Sequence, residues 1–290
     1  MRCGKVLGIK LLINDYFILL LIGYALLGVL DQTLILFLLV LIHETAHLLA
    51  AKKFGIRARE IELFPFGGVA RIDGMLELSP RREIMVALAG PCSNFLLCLT
   101  GLYFWPWLSQ WSLGVLFIEA NLMLGVFNLW PALPLDGGRV LRSFLARRIG
   151  FYQATHLVLK MSKWWAVVMG IWGLLGLYLG LGNLHTLFMA VFLYGAVLQE
   201  EGNFIYLFLR YLLRKGEELQ AKGVLPLKQY ITTKGVTLGE VVQQFTPGHY
   251  HMVLVVEKGG KELISLSEHQ IVEALLKHGK SYPVGKLMSS

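Results

Sequence analysis

The sequence predicts an all-α membrane protein, a bundle of six transmembrane helices, followed by a small cytoplasmic α+β module at the C-terminus. Three observations predict it. Of the 290 residues, 56% are hydrophobic and only 16% charged, where an ordinary soluble domain has about 25% charged; the mean hydropathy is +0.60. The apolar residues come in blocks, and block length is the membrane signal. All 27 Lys and Arg fall in stretches that alternate crossing would put on one face of the bilayer.

The six apolar segments are residues 13–30, 33–51, 84–108, 113–135, 164–182 and 184–199. Most approach the ~20 residues that, at ~1.5 Å each, cross a ~30 Å hydrocarbon core; the last is the shortest. The first reads as a retained span rather than a signal peptide. It opens with Asn14 and Asp15, is long for a signal-peptide core, and is followed by no A-x-A cleavage site. Three cations precede it, seven lie between spans two and three, six between spans four and five, and eleven follow span six. The intervening loops hold none, so both termini are placed in the cytoplasm. Trp105, Trp107 and Trp111 surround the turn after span three, where an interfacial aromatic belt on the far side would sit.

The formal charge of +8 raises nucleic-acid binding, and the map of charges removes it. From Gly216 onward eight Lys/Arg face seven Asp/Glu, so the soluble-looking tail is nearly neutral and the basic excess reports topology. Cys3, Cys92 and Cys98 have no metal-type spacing and imply no disulfide scaffold.

Residues 1–202 therefore form the expected membrane domain. Residues 203–223, opening with NFIYLFLRYLLRK, are too short an apolar run to span and read as an interfacial helix and linker. In residues 224–290 the pattern changes. VTLGEVVQQF is an amphipathic helix, MVLVVE a buried-type strand, and residues 258–261 a Gly-Gly turn leading to a second strand, ELISL. A further helix runs from Ser267, its expected N-cap, to His278.

Span two ends in LVLIHETAHLLAAKK, which contains an H-E-x-x-H. Positions i and i+4 of a helix share a face, so His43 and His47 can ligate one metal. Two His plus a carboxylate suit Zn2+ and leave a fourth position open for water. Glu44, beside His43, could take that water's proton once a metal brings its pKa to about 7. From this chain's composition such a motif is expected by chance about 0.01 times. The plain alternative is a pair of helix-packing His. It is weakened because ionisable groups inside a span each cost roughly 2.5 kcal/mol or more.

Asp136 is the candidate third ligand, in NLWPALPLDGGR (128–139). Spans two and four run in the same direction, so the His pair and Asp136 lie at cytoplasmic ends of their spans. Asp136 is only three residues from Arg139, while His43 is eight residues, roughly 12 Å along a helix, from the basic end of span two. Pro131 and Pro134 must therefore break the helix, and Gly137-Gly138 allow a tight return of the chain into the bundle. Taken alone, Asp136 would be a turn or cap residue. Asn128, inside span four, is either a hydrogen-bond donor to a substrate backbone or oxyanion, or interhelical glue. Glu119 and Asn121 are read as snorkelling to the outer surface. Gly67 and Gly68, after span two, could belong to an edge strand that holds a peptide extended.

HETAH near the end of a span, followed about ninety residues later by N-x-x-P-x-x-P-L-D-G-G, resembles the site-2 protease family of intramembrane zinc metalloproteases. AGPCSN (89–94) and FPFGGV (64–69) resemble it as well. The likeness is strongest to the sporulation branch that processes a membrane-associated pro-sigma factor. It implies one Zn2+ held by His43, His47 and Asp136, with Glu44 as catalytic base. It implies a pro-sigma factor as substrate, inhibitory membrane proteins as partners, and residence in the mother-cell membrane around the forespore. Residues 224–290 resemble a single CBS motif, which implies ATP binding or pairing with a second copy; a plain docking or dimerisation module fits the same pattern. Pro131 and Pro134 replace the commoner Asn-Pro doublet, so the local bend is expected to differ. Two other classes stay open from the residues alone. One is a metal-ion transporter or channel regulated by its tail, since intramembrane His and Asp also mark ion pathways. The other is a catalytically silent docking protein.

Overall fold

The computed structural model describes residues 2–6, 9–13, 15–55, 58–64, 67–72, 80–180, 184–246, 249–256 and 262–288. The expected Gly-Gly turn at 258–261 lies outside them. The chain divides into two compact units, one of Met1–Met75 with Arg81–Leu141, the other of Leu76–Pro80 with Arg142–Ser290.

The first unit begins with strands that hydropathy does not announce. β1 (Arg2–Val6) pairs antiparallel with β2 (Ile9–Ile13), which lies parallel to β3 (Ala58–Phe64), itself antiparallel to β4 (Gly67–Ile72). The order β1-β2-β3-β4 makes β4 an edge, with Gly67 opposite Phe64 and Gly68 opposite Leu63. Helix α1 (Asp15–Leu26) has 12 residues, a rise of about 18 Å. The first apolar stretch is thus shared between a strand end and a short helix. Helix α2 (Leu30–Lys53) follows, touching β4 and carrying the H-E-x-x-H.

Helix α3 (Pro80–Tyr103) buries Ala87, Gly90, Pro91, Asn94, Cys98 and Gly101, a stripe of mostly small residues at helical spacing. Small side chains are what let helices approach closely where lipid supplies no hydrophobic drive. A Cβ on Gly101 would lie 2.7 Å from Ile118. The single turn α4 (Trp105–Leu108), with Trp105, Trp107 and Trp111 exposed, leads into α5 (Ser112–Asn128). After α5 the helix stops. Residues 129–135, with a cis Leu133–Pro134 bond, return the chain to α6 (Asp136–Ile149). Neither Gly137 nor Gly138 has a positive φ. A Cβ on Gly137 would be 2.6 Å from the Trp130 carbonyl oxygen, and one on Gly138 equally close to that of Ala132. Their contribution is close backbone packing at the start of α6.

In the second unit, Gly150, at φ 84°, opens α7 (Phe151–Tyr178). This helix starts 13 residues before the expected span, because its first turns are amphipathic and bury Phe151, Ala154, Val158 and Leu159. Helix α8 (Leu184–Lys222) packs along α7. It corrects the expected linker at 203–223. The stretch is the continuation of one 39-residue helix, and Phe204, Phe208 and Leu212 are buried in a protein core instead of resting on lipid. Gly202 is tolerated in the helix at a cost near 1 kcal/mol, and the adjacent Glu201 pairs with Lys163 at 2.6 Å.

Strands β5 (Leu227–Thr233), β6 (Tyr250–Val256) and β7 (Glu262–Ser267) form a three-stranded sheet in that order, β5 parallel and β7 antiparallel to β6. α9 (Leu238–Val242) and α10 (Glu268–His278) each begin with a complete capping box, Thr237 with Glu240 and Ser267 with Gln270. Val253, Val255, Phe245, Ile271 and Val272 share one core with the α8 phenylalanines.

Among the described residues, α2, α3 and α7 are long and apolar enough to cross a membrane, and α5 is a shorter apolar helix. Exposed Trp164, Ile171, Trp172 and Leu175 give α7 the outward apolar face that lipid covers.

Candidate metal centre

His43 and His47 project from one face of α2 and are 5% exposed. The irregular segment 129–135 and the α6 start bring Asp136 to them from 93 residues away. His43 Nε2 lies 3.0 Å from His47 Nε2 and 3.2 Å from Asp136 Oδ2; His47 Nε2 lies 3.1 Å from the same oxygen. The return through Pro131 and Pro134 thus brings Asp136 into contact with both imidazoles.

The opposite edge of each ring is tied to α3. His43 Nδ1–H donates to Asn94 Oδ1 at 2.5 Å, and His47 Nδ1–H donates to the Val86 carbonyl at 2.8 Å. With both Nδ1 atoms donating, both neutral rings turn an Nε2 lone pair toward the carboxylate. Three acceptors facing one another at 3.0–3.2 Å call for a cation among them. Tetrahedral donors 2.0–2.1 Å from Zn2+ sit about 3.3 Å apart, so the residues present fit that ion. No other such cluster of His, Cys or acidic groups occurs among the described residues.

Glu44 is half-buried on α2 beside the cluster, within electrostatic reach of both His, Asp136 and Arg139. Gly90 keeps α3 close: a Cβ there would overlap His47 Nε2 and sit 2.6 Å from His43 Nε2. Asn128 does not join this group. Its Nδ2 donates to the Leu124 carbonyl, one turn back on α5. Gly67 and Gly68 lie on the β4 edge.

One expectation is overturned. Asn121 does not snorkel. It is 0% exposed and accepts a hydrogen bond from Asn94 Nδ2 at 2.9 Å. Val86, Gly90 and Asn94 join the site without having been singled out individually by sequence, although AGPCSN (89–94) marks that turn of α3. An uncompensated Asn within a span was the available signal for both Asn94 and Asn121.

Two imidazoles and a neighbouring glutamate on the membrane-length α2, with a carboxylate from the start of α6, make the donor set that a metallohydrolase centre uses. The sequence profile of peptidase family M50 matches residues 32–110 and 104–169, which contain all four of these groups. The chain is 31% identical over 210 residues to zinc metalloprotease MJ0392 of Methanocaldococcus jannaschii, covering 69% of this chain and 60% of that protein. It is 28% identical over 259 residues to stage IV sporulation protein FB of Bacillus subtilis, covering 85% and 84%. Among solved structures it resembles the site-2 protease from Methanocaldococcus jannaschii, with a TM-score of 0.55 and 31% identity over 69% of this chain and 94% of that one. The chain belongs to peptidase family M50, the site-2 proteases. It spans three-fifths of the length of MJ0392.

Proposed function

We propose that this protein is an intramembrane zinc metalloprotease that hydrolyses a peptide bond in or near the bilayer. The observation that carries the reading is the triangle of His43 Nε2, His47 Nε2 and Asp136 Oδ2 beside Glu44, built on the membrane-length α2 and the start of α6. When bound there, Zn2+ supplies Lewis acidity, polarising the scissile carbonyl and bringing a water's pKa to about 7. His43, His47 and Asp136 hold the ion. Glu44 takes the attacking water's proton and returns it to the leaving amine. A helical substrate hides its carbonyls in hydrogen bonds, so it must unwind. The open edge of β4 at Gly67-Gly68, on a strand that touches α2, gives an extended segment a place to pair. Asn128 is assigned to the substrate backbone, on exchange of its bond to Leu124.

The finer reading rests on resemblance and charge placement. Six hydrophobic passes with both termini cytoplasmic follow from the one-sided distribution of Lys and Arg. Likeness to a sporulation protein supports a membrane-associated pro-sigma factor as substrate, with inhibitory membrane proteins as regulators, in the mother-cell membrane around the forespore. The C-terminal module is proposed to dock substrate, pair with a second copy or answer to ATP. A cavity of about 550 Å³ lined by Tyr152, His156, Lys160, Gln243 and the Lys163–Glu201 pair offers room for a small ligand.

The test is Glu44→Gln in the purified full-length chain. Cleavage of a co-purified candidate substrate is expected to fall by about 10²–10⁴-fold with zinc retained. Full activity in that variant refutes the base, and metal flux without peptidase activity in the wild type would favour a transporter.

A further inference from the structure

The polar chain behind His43 continues past Asn94. Asn94 Nδ2 donates to Asn121 Oδ1, and Asn121 Nδ2 donates to the Phe117 carbonyl at 2.8 Å, one turn back on α5. Asn94 and Asn121 are both 0% exposed. An amide side chain can point either way, and its orientation is decided by its neighbours. Here the last neighbour decides. A backbone carbonyl only accepts, so Asn121 must turn its NH2 to Phe117 and its oxygen to Asn94. Asn94 must then turn its NH2 to Asn121 and its oxygen to His43. His43 in turn must carry its proton on Nδ1, which leaves Nε2 as a lone pair.

We infer that Asn121 is a positioning residue for the metal centre: through Asn94 it fixes the His43 tautomer that can ligate a cation. It touches neither the ion nor the substrate. With Asn121 made apolar, the Asn94 amide is free to invert and present NH2 to Nδ1. That inversion selects the ring with hydrogen on Nε2, which has no lone pair to give. Partners that orient a metal-bound His are commonly worth 10–100-fold in metal affinity. The inference rests on the metal reading above and concerns a residue on a helix that supplies no ligand.

The experiment measures Zn2+ affinity of the full chain in detergent by competition with a chromophoric chelator, and the absorption spectrum of the Co2+-substituted protein. Asn121→Leu is expected to weaken Zn2+ binding at least about tenfold and to alter the Co2+ spectrum. Adding Asn94→Asp to Asn121→Leu, which leaves only acceptor oxygens facing His43 Nδ1, is expected to restore both. If Leu prevents folding, the smaller Asn121→Ala carries the same expectation. Wild-type affinity and an unchanged spectrum in the apolar variant overturn the inference, as does an Asn121→Leu/Asn94→Asp double variant no better than Asn121→Leu alone. A wild-type chain that binds no Zn2+ overturns the metal reading itself, and this inference with it.

Discussion

Gly90 of α3 and His43 of α2 occupy what would otherwise be one volume: a Cβ built on Gly90 would lie 2.6 Å from His43 Nε2. The imidazole cannot step aside cheaply. Asn94 and Val86, which hold the two rings, sit on the same helix as Gly90, so moving α3 away also withdraws their acceptors. Gly90→Ala is therefore expected to lower Zn2+ affinity by tenfold or more and to remove proteolysis, read as metal content after dialysis against a weak chelator. A variant that binds Zn2+ like the wild type would show that the helices separate freely here.

Gly137 makes the same demand from the other side of the cluster. Its Cβ would run into the carbonyls of Leu129 and Trp130, which belong to the return that delivers Asp136. Gly137→Ala should push the start of α6 outward, weakening the carboxylate's hold while leaving the His pair in place. The expected reading is a lower affinity for Zn2+ together with a lower thermal stability, since the clash is with backbone. Unchanged affinity in a correctly folded variant would count against this account of the return.

The charge map predicts sidedness. A single Cys at position 110, between α4 and α5, should react with a membrane-impermeant thiol reagent added outside intact cells; one at Ser290 should react only after lysis. The test uses a background in which Cys3, Cys92 and Cys98 are all replaced. Labelling of both positions from the same side would refute the proposed crossing pattern.

Much of the centre is legible in the sequence, and each legible part has a local cause. His43 and His47 are one turn apart on an apolar helix. Asp136 is one of only four Asp, preceded by two prolines that must break a span. Asn121 was misread because hydropathy records how polar a span is, not which flank of the helix faces another helix. The first sheet was legible only in part, Gly67 and Gly68 suggesting the edge strand β4 while β1, β2 and β3 were not foreseen. Its central pairing, β2 with β3, joins residues about fifty apart, as in Leu12 with Glu62, and neither partner announces the other. The capping box at Ser267 and the strand at β6 were readable because caps and short apolar runs are local chemistry. β5 was not, since LKQYITT mixes exposed and half-buried positions.

Acidity should act on the C-terminal module through Glu240. The backbone N–H and hydroxyl of Thr237 donate to its carboxylate and hold its pKa below the ordinary value. A lowered carboxyl pKa means that the contribution is present above the unfolded value, about 4.3, and is lost as pH falls through the folded one. Wild type should exceed Glu240→Gln in thermal stability at pH 7, and the gap should shrink as the pH is lowered past the unfolded value and through the folded one. A gap that is independent of pH would refute the capping role.

Helix α8 has a mechanical consequence. It runs 39 residues without a break, about 58 Å at the usual rise, and the C-terminal sheet is clamped onto it through Phe204, Phe208 and Leu212. There is no joint between that clamp and Leu184. The sheet cannot swing as a pendant on a tether; any torque on it is delivered down a stiff axle to the opposite end of the rod.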